Sequence, residues 1–194
     1  MKKSRLDTLV SDQQLEREFR RTVRRKWRCT VVKHAIAILT VFAAFFVLVT
    51  TMWFPIYYVT GTFMEPTLER GMVVVASRIL DPVPGDIVAM NDGNRVLLSR
   101  LIAVAGDSVS IDRQGNVSVN NTALREAYLN EKNLGTTDLM YPYQVPKSSY
   151  FLMGDNRAKS IDSRISAIGC IQKDAFAGKI MFCIWPISRI GYVG

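Results

Sequence analysis

The dominant hydrophobic feature of the chain is one unbroken apolar segment near its N-terminus. No charged residue occurs between residues 35 and 64, and the run AIAILTVFAAFFVLVTTMWF at residues 35–54 has no continuous polar stripe. As a helix, such a run is long enough to span roughly 30 Å of hydrocarbon. A core helix of that length would normally show a polar face. The pattern therefore predicts a transmembrane helix, with span and membrane interface over residues 35–58.

Short apolar runs separated by turn residues follow this segment. Gln114-Gly115-Asn116 joins two alternating runs, which indicates a hairpin, and no long helical period occurs after residue 60. The pattern predicts a mainly β domain over residues 59–194. The predicted strands lie at residues 72–77, 86–90, 96–106, 108–112, 117–121, 149–154 and 178–185.

One part of this β domain breaks the pattern. Residues 122–148 are polar, show little regular period, and contain Gly135, Pro142 and Pro146. A long irregular stretch between strands is typical of an inserted loop or a small cap. Together with the turn before it, the insert is predicted over residues 113–148.

The positive charge of the chain is concentrated before the apolar segment. Residues 1–34 contain eleven Lys or Arg and four Asp or Glu, which is +7 of the total +8. Basic flanks stay on the cytoplasmic side of a membrane. Trp53, Phe54, Tyr57 and Tyr58 follow the apolar run where a cleavable signal would have small residues. The sequence thus predicts an uncleaved single-pass anchor in the cell membrane, with the N-terminus cytoplasmic and residues 59–194 outside.

The same charge distribution limits the binding partners. Nucleic-acid binding is excluded, because the basic cluster lies beside the membrane and not on the folded domain. Within it, Leu15, Phe19, Val23 and Trp27 recur every fourth residue among arginines. This spacing predicts a basic amphipathic helix that lies on anionic lipid; a helix that binds a protein partner is the alternative.

The chain has three cysteines and one histidine. Cys29 is predicted to be cytoplasmic, whereas Cys170 and Cys183 lie in the external domain. These two cysteines either form a disulfide, which that compartment permits, or act as small buried hydrophobes. No Cys-x-x-Cys or histidine-rich pattern occurs, so we predict no metal and no cofactor.

The chain contains four stretches of candidate functional residues, which are, in order, TGTFMEPTLERG (60–71), PGDIVAM (84–90), VLLSRLIAVAGD (96–107) and MGDNRAKSIDSR (153–164). Behind a basic-flanked anchor, these stretches resemble type I signal peptidases, and GKIMFCIWP at residues 178–186 extends the match towards the C-terminus. The resemblance implies an extracytoplasmic antiparallel β-sheet domain that uses a serine nucleophile and a lysine general base.

Both members of the expected catalytic dyad are replaced in this chain. Residues 64–68 match the family pattern, but Phe63 stands at the serine position; Arg100 matches, but Ser99 stands at the lysine position. A serine hydroxyl is a poor nucleophile until a base takes its proton, and a lysine serves as that base only when burial keeps it neutral. The sequence therefore predicts a non-catalytic homologue.

An active peptidase with a relocated nucleophile is the alternative. Thr62 is adjacent to Phe63, but in an extended segment its side chain would point to the opposite face. Ser99 is a second candidate nucleophile without an evident base. The one histidine, His34, is predicted at the cytoplasmic boundary of the membrane and cannot act outside.

The resemblance also assigns structural roles. It implies that Asp155 pairs with Arg100, that Asp162 pairs locally with Arg164, and that the Ser160 hydroxyl has lost the lysine amine it would contact. The remaining residues assigned to this scaffold by the resemblance are Met64, Pro66, Asn156, Arg157 and Ser163.

The predicted function is that of a pseudo-peptidase, which binds an extended peptide or a secreted protein at the membrane surface. Some dyad-less homologues of this type are associated with assembly of sortase-linked pili in Gram-positive bacteria. By that analogy the partner is a pilin or a sortase. Two alternatives stay open: an active type I signal peptidase, and a folded domain with a blocked groove.

Overall fold

A computed structural model describes the backbone of residues 12–93 and 95–193. The predictions for residues 1–11, and for the side chains of Leu15, Phe19 and Val23, lie outside the described residues. The chain forms two compact units, residues 1–49 and residues 50–194.

A single long helix, α1, runs from Asp12 to Trp53. Its segment Thr30–Trp53 has a mean hydropathy of 2.5, and none of the tested window is buried inside the protein. By length and composition, it is the one helix among the described residues that can cross a membrane. The apolar helix ends at Trp53, whereas the predicted span and interface continued to residue 58.

The larger sheet belongs to the second unit, and all of its strand pairs are antiparallel. Its strands are β1 (Ile56–Tyr58), β2 (Val73–Ser77), β3 (Ile87–Asp92), β4 (Arg95–Val104), β9 (Ser149–Met153), β10 (Ile171–Gln172), β11 (Phe176–Trp185) and β12 (Gly191–Tyr192). The order is β1-β2-β11-β3-β4-β9-β10, and β12 pairs with β11.

Strand β1 covers the last residues of the predicted span and interface. Residues 56–58, which were predicted to lie at the membrane interface, pair with Val75, Val74 and Val73 of β2. Ile, Tyr and Tyr favour a pleated, half-buried surface as strongly as an interface, so composition alone does not separate the two.

A smaller antiparallel sheet contains the strands of the predicted insert. Its strands are β5 (Ser108–Ile111), β6 (Val117–Val119), β7 (Thr122–Ala123) and β8 (Tyr143–Gln144), in the order β7-β6-β5-β8. The predicted hairpin around residues 114–116 is confirmed, because Ile111 pairs with Val117. Asp112 stabilises the turn by accepting bonds from the backbone amides of Gln114 and Asn116, at 2.9 and 2.8 Å.

The core lies on both faces of the larger sheet. Met64 and Leu68, from the turn after β1, are buried with Ile87, Ala89 and Ile180. Two further clusters surround Phe151 and Leu152 on β9. The mainly β, antiparallel fold with one N-terminal apolar helix is therefore confirmed.

Cys170 and Cys183 are free thiols. Cys183 is buried in the cluster with Ile180, while Cys170 packs against the separate cluster around Phe151. Both side chains therefore fill the core as small hydrophobes.

Candidate active-site groove

The turn between β1 and β2 carries Phe63, and hydrogen bonds close its base. Val59 N–H donates to Met72 O, and Gly71 N–H donates to Val59 O, both at 2.8 Å. Gly71 has φ of +95°, a left-handed conformation that favours glycine. Since Met64 is buried in the core below, the residue before it is held in one place at the tip of the turn.

Phe63 is fixed through its backbone carbonyl. That oxygen accepts from Asn156 N–H at 2.8 Å and from Ser160 Oγ at 2.9 Å. Asn156 Nδ2 also donates to Thr62 O, at 3.2 Å. Three hydrogen bonds therefore join the Phe63 turn to the turn that contains Gly-Asp-Asn-Arg.

Gly154 allows this close approach. A Cβ atom there would lie 2.6 Å from Phe63 O and closer still to Ser160 Oγ. Two atoms cannot approach so closely, so any other residue would push the turns apart. Gly154 is the glycine of the Gly-Asp-Asn-Arg stretch, and these close contacts explain why a glycine is needed there.

Strand β4 carries Ser99 and presents an open edge. Ser99 lies opposite Val88 of β3, and Arg100 lies opposite Met153, the last residue of β9. Leu101 N–H bonds towards β3, to Asp86 O at 2.8 Å. Successive residues of a strand direct their backbone N–H and C=O groups to opposite sides, so those of Leu98 and Val96 point away from β3. They lie beyond the end of β9, where no strand among the described residues pairs with them.

The open edge forms one wall of a groove of about 430 Å³. Both dyad positions, Phe63 and Ser99, line this groove, which is formed by residues 58–61, 63–64, 95–99, 154 and 160–162. Thr62 does not line it. The segment around Thr62 is a bend and turn, however, and not the extended stretch on which its predicted orientation depended.

Ser160 has acceptors other than a lysine amine. Its Oγ lies 2.9 Å from Phe63 O and 2.8 Å from Asn156 O. A hydroxyl has one proton to donate, and here carbonyl oxygens take it. Ser160 therefore holds the two turns together.

The predicted pair between Arg100 and Asp155 is confirmed. Arg100 Nε and Nη2 reach the two carboxylate oxygens at 2.8 and 2.6 Å. Thr67 Oγ1 adds a bond to Asp155 at 2.5 Å, and Arg100 Nη1 donates to Gly85 O at 2.7 Å. The pair was predicted to be partly buried; its side chains are in fact 4% and 0% exposed.

The insert contributes two residues that the sequence did not identify. Glu126 forms a buried ion pair with Arg157, and the Tyr128 ring lies 3.8 Å from the Arg100 guanidinium carbon. Burial raises the pKa of Tyr128 well above its usual value, and the negative charge of Glu126 adds to this shift. Both residues occur in a polar segment without periodicity, so nothing in the sequence marked them.

Arg164 completes the attachment of the insert. Its Nε and Nη2 reach Asp162 at 2.8 Å each, which confirms the predicted local pair, and its Nη1 donates to Leu134 O at 2.7 Å. Ser163 Oγ accepts from Leu152 N–H at 3.0 Å. The three motif arginines therefore each hold part of the insert, at Tyr128, Glu126 and Leu134.

Two further features define the chemistry available in the groove. No lysine or histidine is among the described residues that line it. The described part of the chain also contains no group of three acidic, histidine or cysteine side chains placed to hold a metal ion.

Pro66, another predicted scaffold residue, lies half-buried in the Phe63 turn.

Comparison with known proteins agrees with these motifs. The sequence profile of the family described as signal peptidase, peptidase S26, matches residues 31–185. Signal peptidase I of Bacillus amyloliquefaciens is 36% identical over 155 residues, which are 74% of this chain and 83% of that protein. Signal peptidase I P of Bacillus subtilis subsp. natto is 34% identical over 168 residues, covering 80% and 87% of the two chains.

Among solved structures, a signal peptidase I from Enterococcus faecalis V583 is 26% identical, with a TM-score of 0.42, and the match covers 52% of this chain and 97% of that one. The family profile spans most of the chain, and the two Bacillus relatives are more than 30% identical over more than two thirds of it. The chain therefore belongs to the type I signal peptidase family, peptidase S26.

Proposed function

We propose that this protein is a membrane-anchored pseudo-peptidase that binds extended segments of secreted proteins without cleaving them. The observation that carries the proposal is the pair of residues at the dyad positions, Phe63 and Ser99, which line one groove. A phenyl ring has no proton or lone pair to offer, and a serine hydroxyl is not a useful base. The peptide-sized space remains, while the reactive groups do not.

The alternative of a relocated nucleophile needs a hydroxyl with a base within hydrogen-bond reach. Ser99 and Ser160 line the groove, but no lysine or histidine does among the described residues. Arg95 also lines it, and a guanidinium stays protonated. Asp162 is the remaining candidate base; both of its oxygens already accept bonds from Arg164, at 2.8 Å. These contacts favour the non-catalytic function.

The open edge of β4 supports a binding mode. Backbone groups of Val96 and Leu98 face the groove, and an extended peptide can pair with such an edge as an added strand. A groove of about 430 Å³ beside that edge argues against the blocked-groove alternative.

The identity of the partner is a separate part of the proposal. An anchor over residues 35–58 would hold the groove at the external surface of the cell membrane, where secreted proteins emerge. A pilin or a sortase as partner is proposed from the resemblance to dyad-less homologues alone. Cross-linking from a photoreactive residue at Val96 in intact cells, followed by identification of the linked protein, tests it.

Peptide binding can be tested by blocking the open edge. Val96→Pro removes an N–H that faces the groove and bonds to no strand, so β4 should keep its pairing with β3. Val96→Thr keeps that N–H and is the matched control. We expect a fluorescent signal peptide, extended by the first mature residues, to bind the full chain in detergent, to bind Val96→Thr equally, and to lose about tenfold in affinity with Val96→Pro. Equal binding by both variants, or none by the wild type, contradicts the proposal.

A further inference from the structure

We propose that the groove selects an extended segment that places a large apolar side chain against Phe63 and a carboxylate beside Arg95. This inference rests on the proposed peptide-binding function and names the class of peptide. It concerns the same groove. It depends on two side chains, the exposed ring of Phe63 and the guanidinium of Arg95, whereas peptide binding itself depends on the backbone edge of β4.

The apolar part of the inference comes from exposure. Tyr58, Phe63, Val96 and Ile161 are large apolar side chains, exposed to 62%, 36%, 43% and 55%, and all four line the groove. They come from three separate segments of the chain, so the fold brings them together. A cluster of exposed apolar side chains of this kind is typical of a binding site.

Phe63 is the best placed of the four to act as an anchor. Its backbone is held by Asn156 and Ser160, and its ring lies beside Gly61, where a Cβ atom would be 3.6 Å from Cδ2. An aromatic side chain has few rotatable bonds to order on binding, and exposed aromatic side chains often carry much of an interface's affinity. An alanine would leave this ring uncovered, whereas a leucine or phenylalanine would cover it.

Arg95 supplies the charge. It is exposed at the start of β4, lines the groove, and forms no ion pair within the described part of the chain. Asp92, its partner in strand register, does not line the groove, and the carboxylate of Asp162 is held by Arg164. An acidic residue therefore complements this end of the groove.

The positions of the groove residues along β4 set the distance between the acidic and the large apolar residue that we expect in the bound peptide. Arg95 precedes Ser99, the other dyad position, by four positions along β4, so the two side chains lie on the same face of the strand, roughly 13 Å apart. A paired peptide advances by the same rise per residue. We therefore expect the acidic and the large apolar residue of the bound segment to be four positions apart, on one face of the peptide.

The experiment uses three synthetic peptides that differ at two positions only. The first has leucine and aspartate four residues apart; in the second alanine replaces the leucine; in the third asparagine replaces the aspartate. Binding to the full chain in detergent is measured by fluorescence anisotropy. The variants are Phe63→Ala and Arg95→Gln, and the matched controls outside the groove are Phe182→Ala and Arg113→Gln, both at exposed positions.

We expect the leucine–aspartate peptide to bind the wild type about tenfold more tightly than the alanine peptide, and Phe63→Ala to remove that preference. Arg95→Gln should remove the preference for aspartate over asparagine, and the controls should change neither. Equal affinity for leucine and alanine, or a preference that survives Phe63→Ala, overturns the inference while peptide binding itself stands. If none of the peptides binds the wild type, the proposed function falls with it.

Discussion

At the scale of single residues, the charged pairs of this domain differ in burial far more than in distance. Arg100 and Asp155 approach to 2.6 Å with side chains 4% and 0% exposed. Arg189 and Glu69 approach to 2.5 Å, but their side chains are 54% and 48% exposed. Removing one partner of a buried pair leaves an uncompensated charge, whereas an exposed charge returns to water.

This contrast gives a stability prediction with an internal control. Asp155→Ala should lower the free energy of unfolding by about 3–5 kcal/mol, because Arg100 would remain buried without its partner. Glu69→Ala should cause little or no change. Thermal melting of the purified full chain measures both. Melting curves that shift equally would show that the Arg100–Asp155 pair is not buried in solution.

The dyad positions give a second prediction at this scale. Phe63→Ser supplies a hydroxyl without a base, and Ser99→Lys supplies an amine with nothing to activate, so neither single variant should cleave a secretory precursor. Only the combination supplies both groups, because the members of a catalytic unit act together. Gel analysis of a precursor incubated with each variant is the measurement. Cleavage by either single variant would mean that another residue supplies the missing group.

The order of the motifs made the ion pairs of the site predictable from the sequence, but only where both members of a pair are motif residues. The pairs Arg100–Asp155 and Asp162–Arg164 were identified because both members match the family pattern. Glu126 and Tyr128 were missed, since their roles arise from contacts with arginines distant in the sequence. Local pattern does not encode such contacts.

At the scale of elements, two turns and one strand edge form the groove, and Gly154 is where the turns meet. A Cβ atom at Gly154 would be 2.6 Å from Phe63 O, whereas one at Gly191 on β12 would meet nothing within 4 Å. We expect Gly154→Ala to lower the melting temperature and to weaken peptide binding, because the Phe63 turn must move. Gly191→Ala is the matched control and should do neither. Unchanged binding by Gly154→Ala would show that the turn spacing does not shape the groove.

The longer strands were predictable, and the shortest were not. Each of the seven predicted runs overlaps a strand of the structure, from β2 to β11. The strands missed, β1, β7, β8, β10 and β12, have two or three residues each, too few for alternation to be visible. Their pairing is decided by neighbours in the sheet, which a single sequence does not show.

At the scale of the whole molecule, the charge asymmetry predicts orientation. With Cys170→Ser and Cys183→Ala, Cys29 is the one remaining thiol, and we expect it to resist a membrane-impermeant maleimide in intact cells and to react after lysis. Lys147→Cys in the same background is the control and should react from outside. Labelling of Cys29 in intact cells would reverse the predicted orientation.

We propose that the signal peptidase fold of this chain has kept its groove and lost its chemistry. The most direct measurement is incubation of the purified wild-type chain with a secretory precursor, beside an active signal peptidase as positive control. We expect the precursor to stay intact with the wild-type chain while the control cleaves it. Cleavage by the wild-type chain that is abolished by Ser99→Ala or by Thr62→Ala would show instead that the chain is a peptidase with a relocated nucleophile.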